Sequence, residues 1–128
     1  MKPLFLTLEK VLELHQDQLN VYGGSSGIRD MGLLQSAVAM PQASFGGEYL
    51  HEDLFAMAAA YLYHLVQNHP FVDGNKRIGL LAMLAFLKNE QFEVDVPEDI
   101  LYNFIIDIST SKADYDNIVT RLKEFTSG

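Results

Sequence analysis

Residues 53–90 read DLFAMAAAYLYHLVQN, HPFVDG, NKRIGLLAMLAFLKNE: two apolar blocks joined by six residues rich in turn formers. Residues 53–68 and 75–90 are each apolar nearly all round at helical length, and a helix without a polar face is normally buried at the centre of a bundle. Downstream, Pro97 suits the first turn of a helix over about 97–108. A closing helix over 113–126 carries Tyr115, Ile118, Val119, Leu122 and Phe125 on one face. Upstream, residues 7–20 (TLEKVLELHQDQLN) place Leu8, Val11, Leu12, His15 and Leu19 at helical spacing, and Gly23 and Gly24 stop that helix. Residues 21–50 hold six of the nine glycines, so they read as loop-rich with one short helix, about Met31–Met40. Asp30 is its expected N-cap and Pro41 its stop. Residues Gln91–Val96 suit a short extended piece without a partner strand. The expectation is an all-α fold: a compact bundle of about six helices around a central motif-bearing helix, as one domain over residues 1–128.

Composition narrows the functional classes. The chain has 128 residues, 48% apolar and 20% charged, which is globular composition with enough length to bury a core. With no Cys, disulfides, a thiolate nucleophile and a Cys-ligated zinc are ruled out. Nine Lys and Arg against 17 Asp and Glu leave a net charge of −8, which opposes direct nucleic-acid binding unless the cations cluster. No apolar run reaches the roughly 20 residues of a membrane span, and no signal peptide opens the chain. A soluble, cytoplasmic protein with no membrane partner is expected.

The chemistry concentrates in His69-Pro70-Phe71-Val72-Asp73-Gly74-Asn75-Lys76-Arg77. Lys76 and Arg77 are the only basic residues between Asp30 and Leu87, and the ten residues Ile78–Leu87 that follow contain no polar side chain. Cations beside a helix N-terminus oppose the macrodipole, so helix stability does not explain them. Free backbone N–H groups together with Lys and Arg form an anion site. Gly74 allows close backbone approach to a ligand and Asn75 suits a helix cap. Histidine is the usual general base and aspartate a hard-cation ligand, which gives His69 and Asp73 their candidate roles. Singly, each residue has an ordinary structural explanation. Their joint arrangement is the minimum kit for phosphoryl or nucleotidyl transfer.

HPFVDGNKR resembles the active-site motif of the Fic/Doc family, His-x-Phe-x-Asp/Glu-Gly-Asn-Gly/Lys-Arg, which joins two central helices. YGGSSGIRDMGLLQSAVAMP (22–41) and NHPFVDGNKRIGLLAMLAFL (68–87) resemble that family's Doc (death-on-curing) toxin branch, and the likeness spans most of residues 11–90. The resemblance implies a Fic/Doc-type bundle, with His69 taking the proton from a hydroxyl on a target protein and Phe71 anchoring the loop in the core. Asp73 would help hold Mg²⁺, Gly74 and Asn75 would form the phosphate-binding loop, and Arg77 would contact phosphate oxygens of ATP. At Lys76, members that transfer AMP usually have Gly, with a second Arg where this chain has Leu80. Lys76 is associated with ATP bound the other way round. The implied reaction is therefore transfer of the γ-phosphate, making the chain a toxin-type protein kinase. AMP transfer and an idle Fic-fold binding module are the alternatives. Gly79, within the helix, is expected to mark close helix packing.

By the same resemblance the target is elongation factor Tu, with translation as the process blocked. Inhibition is expected in trans from a Phd-like antitoxin folding into a groove on the bundle, for which the first helix and residues 22–50 are candidates. An inhibitory Ser/Thr-x-x-x-Glu-Gly/Asn pattern has two near matches, Ser44–Glu48 followed by Tyr49 and Thr120–Glu124 followed by Phe125, and neither has the final residue. The Gly-rich stretch 44–50 reads as a flap for the target peptide or a flexible connection. His15, His51 and His64 are expected to be structural.

Overall fold

A computed structural model describes residues 3–110 and 114–126. The helices are α1 (Leu8–Tyr22), α2 (Met31–Ala39), α3 (Leu54–Asn68), α4 (Asn75–Asn89), α5 (Glu98–Ser109) and α6 (Tyr115–Thr126). Their starts follow from local chemistry. The side chains of Thr7, Asp30 and Asp53 accept hydrogen bonds from the backbone N–H groups of Lys10, Leu33 and Ala56, at 3.1, 2.9 and 2.8 Å. Pro97 precedes α5, whose first turn carries Glu98 and Asp99, charges that favour a helix N-terminus. At the other end of α1, Gly23 adopts φ 81° and its N–H returns to the carbonyl of Leu19.

The bundle is built around α3 and α4. Along α3, Met57 to Leu62, Leu65 and Val66 are buried, and on α4 Ile78, Ala82, Met83, Phe86 and Leu87 are buried. Gly79 is the close-packing point expected of it. A β-carbon there would lie 3.0 Å from Val66 Cγ2 and 3.3 Å from the Leu62 carbonyl oxygen. The other helices add Val11, Leu34, Phe104, Ile108, Ile118 and Leu122 to one continuous core. The hydroxyl of buried Tyr61 accepts from the Leu6 N–H at 2.8 Å, tying the N-terminal segment to α3. An ion pair from Lys123 to Asp53 at 3.0 Å links α6 to the start of α3.

The all-α reading holds, with three local corrections. Residues 44–49, within the stretch expected to be a flap or a flexible connection, form a minimal antiparallel hairpin, β1 (Ser44–Phe45) with β2 (Glu48–Tyr49). Its turn is Gly46-Gly47, with φ of 60° and 83°, the positive pair that a type I′ turn requires. The short second helix stops at Ala39 and tightens into a 3₁₀ turn, Met40–Gln42, that contains Pro41. The last helix begins at Tyr115, and its expected start at 113 lies outside the described residues.

Candidate functional site

The site is the connection between α3 and α4. α3 ends at Asn68, and His69 takes the left-handed conformation at its C-cap, φ 50° and ψ 53°. That conformation costs a non-glycine residue free energy and persists only where the surroundings fix it. Here they do. Arg29 donates from Nε to the His69 carbonyl at 2.6 Å and from a terminal guanidinium nitrogen to the Asn68 carbonyl at 2.8 Å. The N–H groups of Arg29 and Asp30 both reach the Pro70 carbonyl, at 2.7 and 3.0 Å, and the Val72 N–H reaches the Gly27 carbonyl at 3.0 Å. Residues 27–30 are thus laced to 69–72, which leaves the His69 side chain exposed on a fixed backbone.

Phe71 is 1% exposed and lies within the core cluster. Asn75 departs from expectation. It does not cap α4, because Gly74 occupies the N-cap position with φ 78° and makes no side-chain cap bond. Instead the buried Asn75 amide clamps Phe71, accepting from its N–H and donating to its carbonyl, both at 2.9 Å. The start of α4 therefore has no side-chain cap over its N–H groups, the condition under which a helix N-terminus attracts an anion.

Asp73 holds its carboxylate still by accepting from two backbone groups, the Ser25 N–H at 3.1 Å and the Gly74 N–H at 2.9 Å. Its carbonyl oxygen is bonded at 2.8 Å by Nε2 of His15, whose ring stacks on Phe71. Gly74 is dictated by more than ligand approach. A β-carbon there would stand 2.2 Å from Nε2 of Gln18, a buried side chain of α1. Gln18 Oε1 in turn accepts from Arg77 at 3.3 Å, and the Arg77 guanidinium lies 4.1 Å from the Tyr22 ring centroid, a cation–π contact. Gln18 and Tyr22, one helical turn apart on α1, together hold Arg77.

These residues open onto a cleft of about 600 Å³ lined by His69, Asp73, Gly74, Asn75, Lys76 and Arg77, with Ser109 and Thr110 from the end of α5. All the residues expected to form the site, apart from the buried anchor Phe71, line this one cleft. An exposed imidazole, a fixed carboxylate, two cations and an uncapped helix start can bind a polyphosphate and accept a proton beside it. Neither Glu48 nor Glu124, the glutamates of the near-match inhibitory patterns, lines it. Sequence reasoning gave no role in the site to Arg29, Ser25, Gln18 or Tyr22. A polar Gln18 among Val11, His15 and Leu19 on the buried face of α1 was the one available signal.

The model of the Fic/DOC family matches residues 5–87. The chain is 38% identical over 112 residues to Toxin Doc of Mycolicibacterium smegmatis, covering 83% of each. It is 30% identical over 116 residues to Protein kinase doc of Escherichia phage P1, covering 90% of each.

Proposed function

We propose that this chain, which belongs to the Fic/DOC family, is a toxin-type protein kinase that moves the γ-phosphate of ATP to a hydroxyl of a target protein. The observation that carries the reading is the single cleft in which His69 and Asp73 stand beside the uncapped, cation-flanked start of α4. The names of the two relatives, a toxin and a protein kinase, support it.

In this reading the N–H groups at the start of α4, with Lys76 and Arg77, hold the phosphates. His69 takes the proton from the target hydroxyl as its oxygen bonds to the γ-phosphorus. The bond from that phosphorus to the bridging oxygen breaks, and ADP leaves with the electron pair. Arg29 and the Pro70 carbonyl contacts keep His69 in place during the transfer. Among the described residues no group of three or more His, Asp or Glu forms a metal site. A magnesium ion would be held by Asp73 with phosphate oxygens and water, the manner in which magnesium ordinarily binds nucleotides. The carboxylate suits this, because each oxygen accepts one N–H in the bonds described and keeps a further lone pair. When bound, magnesium would neutralise charge on the phosphates.

The target that family resemblance favours is elongation factor Tu, so that translation is blocked. Inhibition is proposed to come in trans from a Phd-like antitoxin, a reading supported by the absence of Glu48 and Glu124 from the cleft lining. The test is incubation of a bacterial translation extract with the protein, Mg²⁺ and ATP radiolabelled at either the γ- or the α-phosphate. Label reaching protein only from the γ-position supports the kinase reading. Label from the α-position would replace it with AMP transfer, and label from neither would leave a binding module.

A further inference from the structure

We infer that the cleft modifies its own wall: the hydroxyl of Thr110 takes the γ-phosphate, and the resulting phosphothreonine occupies the anion site and shuts it. This inference rests on the proposed ATP-dependent activity, whose target is another protein. Ser109 ends α5 and Thr110 is its C-cap, and both line the same cleft of about 600 Å³ as His69, Lys76 and Arg77. The structure fixes them there. The side-chain amide of Gln67 donates to the Ile108 carbonyl at 2.9 Å, docking the end of α5 against the end of α3. His69 lies two residues beyond one partner of that bond, and Thr110 lies two residues beyond the other.

The chemistry of this end of α5 does not suit binding a phosphate. A helix C-terminus carries partial negative charge, which repels an anion. Thr110 Oγ1 donates to the Ile106 carbonyl at 2.9 Å and Ser109 Oγ donates to it at 3.0 Å, so both protons are committed and both oxygens keep lone pairs. An oxygen lone pair repels a phosphate oxygen but bonds to phosphorus. Ser109 is half-buried, whereas Thr110 is exposed and its side chain is free to turn into the cleft.

In the step, Thr110 Oγ1 bonds to the γ-phosphorus as His69 takes the hydroxyl proton. The bond from that phosphorus to the bridging oxygen breaks, ADP leaves with the electron pair, and His69 passes the proton to water. The product carries about two negative charges and three strong acceptor oxygens. Lys76, which has no acidic partner among the described residues, lines the cleft with Arg77 and pairs with it. A phosphate held there fills the place of the nucleotide's own phosphates.

The experiment is intact-mass and fragment mass spectrometry of the native chain, Thr110→Val, Thr110→Ser and His69→Ala after incubation with Mg²⁺ and ATP. Transfer of γ-label to the proteins of a bacterial translation extract is measured beside it. The native chain and Thr110→Ser are expected to gain one phosphate at position 110, and Thr110→Val and His69→Ala none. The rate per chain should not depend on protein concentration, because acceptor and base share one cleft. Preincubation with ATP should lower label transfer to extract protein several-fold for the native chain and not for Thr110→Val. A phosphate elsewhere in the chain, an equal gain in Thr110→Val, a rate that rises with concentration, or a modified chain of undiminished activity would overturn the inference. So would an unmodified chain that labels extract protein, which leaves the proposed activity standing. Label reaching neither the chain nor the extract would overturn the inference together with the activity it rests on.

Discussion

The ring of His15 lies flat on the ring of Phe71, centroids 3.7 Å apart and planes within 10°, while its Nε2 bonds the carbonyl of Asp73 at 2.8 Å. A residue of α1 thereby fixes both the anchor and the carboxylate-bearing residue of a loop 58 positions away. The ring is 4% exposed, so its removal leaves a cavity and an unpaired carbonyl together. His15→Ala is expected to lose about 2–3 kcal/mol of stability by urea denaturation. Transfer activity should fall in the fraction that remains folded. Unchanged stability would show that α1 does not support the loop.

His69 separates stability from chemistry. Its side chain is exposed and its backbone is left-handed, so a glycine there relieves strain that an alanine retains. Both His69→Ala and His69→Gly are expected to lack transfer activity, with the glycine variant the more stable by about 1 kcal/mol. Thermal denaturation beside a transfer assay checks both halves. Activity surviving in either variant would remove His69 from the role of base.

Gly74, Gln18 and Arg77 form a coupled set. Gly74→Ala carries a left-handed penalty of about 1–2 kcal/mol and drives a β-carbon into Gln18. Displacing that amide breaks its bond to Arg77. The double variant Gly74→Ala with Gln18→Ala should recover the steric part of the loss but not the left-handed part. A double-mutant cycle measures this, and strict additivity would contradict the contact.

The behaviour toward acid follows from two histidines outside the cleft. Burial holds His51 below the usual imidazole range, against an opposing pull from the Met40 backbone, and it holds His64 low as well, with the charge of His51 adding to the effect. In the unfolded chain both regain the ordinary value of about 6.5, so below it the unfolded state binds more protons. Their contribution to stability is present above about pH 6.5 and is lost as pH falls through the lower folded values. The melting temperature should therefore decline on acidification from that point, and NMR titration should place both rings below 6.5. Rings titrating at or above that value would contradict the assignment.

The parts of this molecule legible in its sequence are those set by local pattern. Asp30 caps α2, Gly23 ends α1, and Gly79 sits where two buried helices touch, because each is decided by neighbours in the chain or by helical spacing. The hairpin carried a local signal too, a Gly-Gly pair between Phe45 and Glu48, but at two residues per strand it had no alternation to read. The supports of the site were not legible. Arg29 reaches residues 39 and 40 positions on, and Gln18 reaches Arg77 across 59. Contacts of that separation depend on how the helices pack, and no local period encodes them. Asn75 misled for a related reason. Its position suited a cap, yet Gly74 takes that place and frees the amide to close the turn on Phe71.

In the proposed reaction His69 directs a γ-phosphate onto a protein hydroxyl. Intact-mass spectrometry of elongation factor Tu, after incubation with the protein, Mg²⁺ and ATP, tests it most directly, with His69→Ala as the control. A gain of one phosphate is expected with the native chain and none with the variant. A gain the size of AMP, or a phosphate gain that persists in His69→Ala, would contradict it.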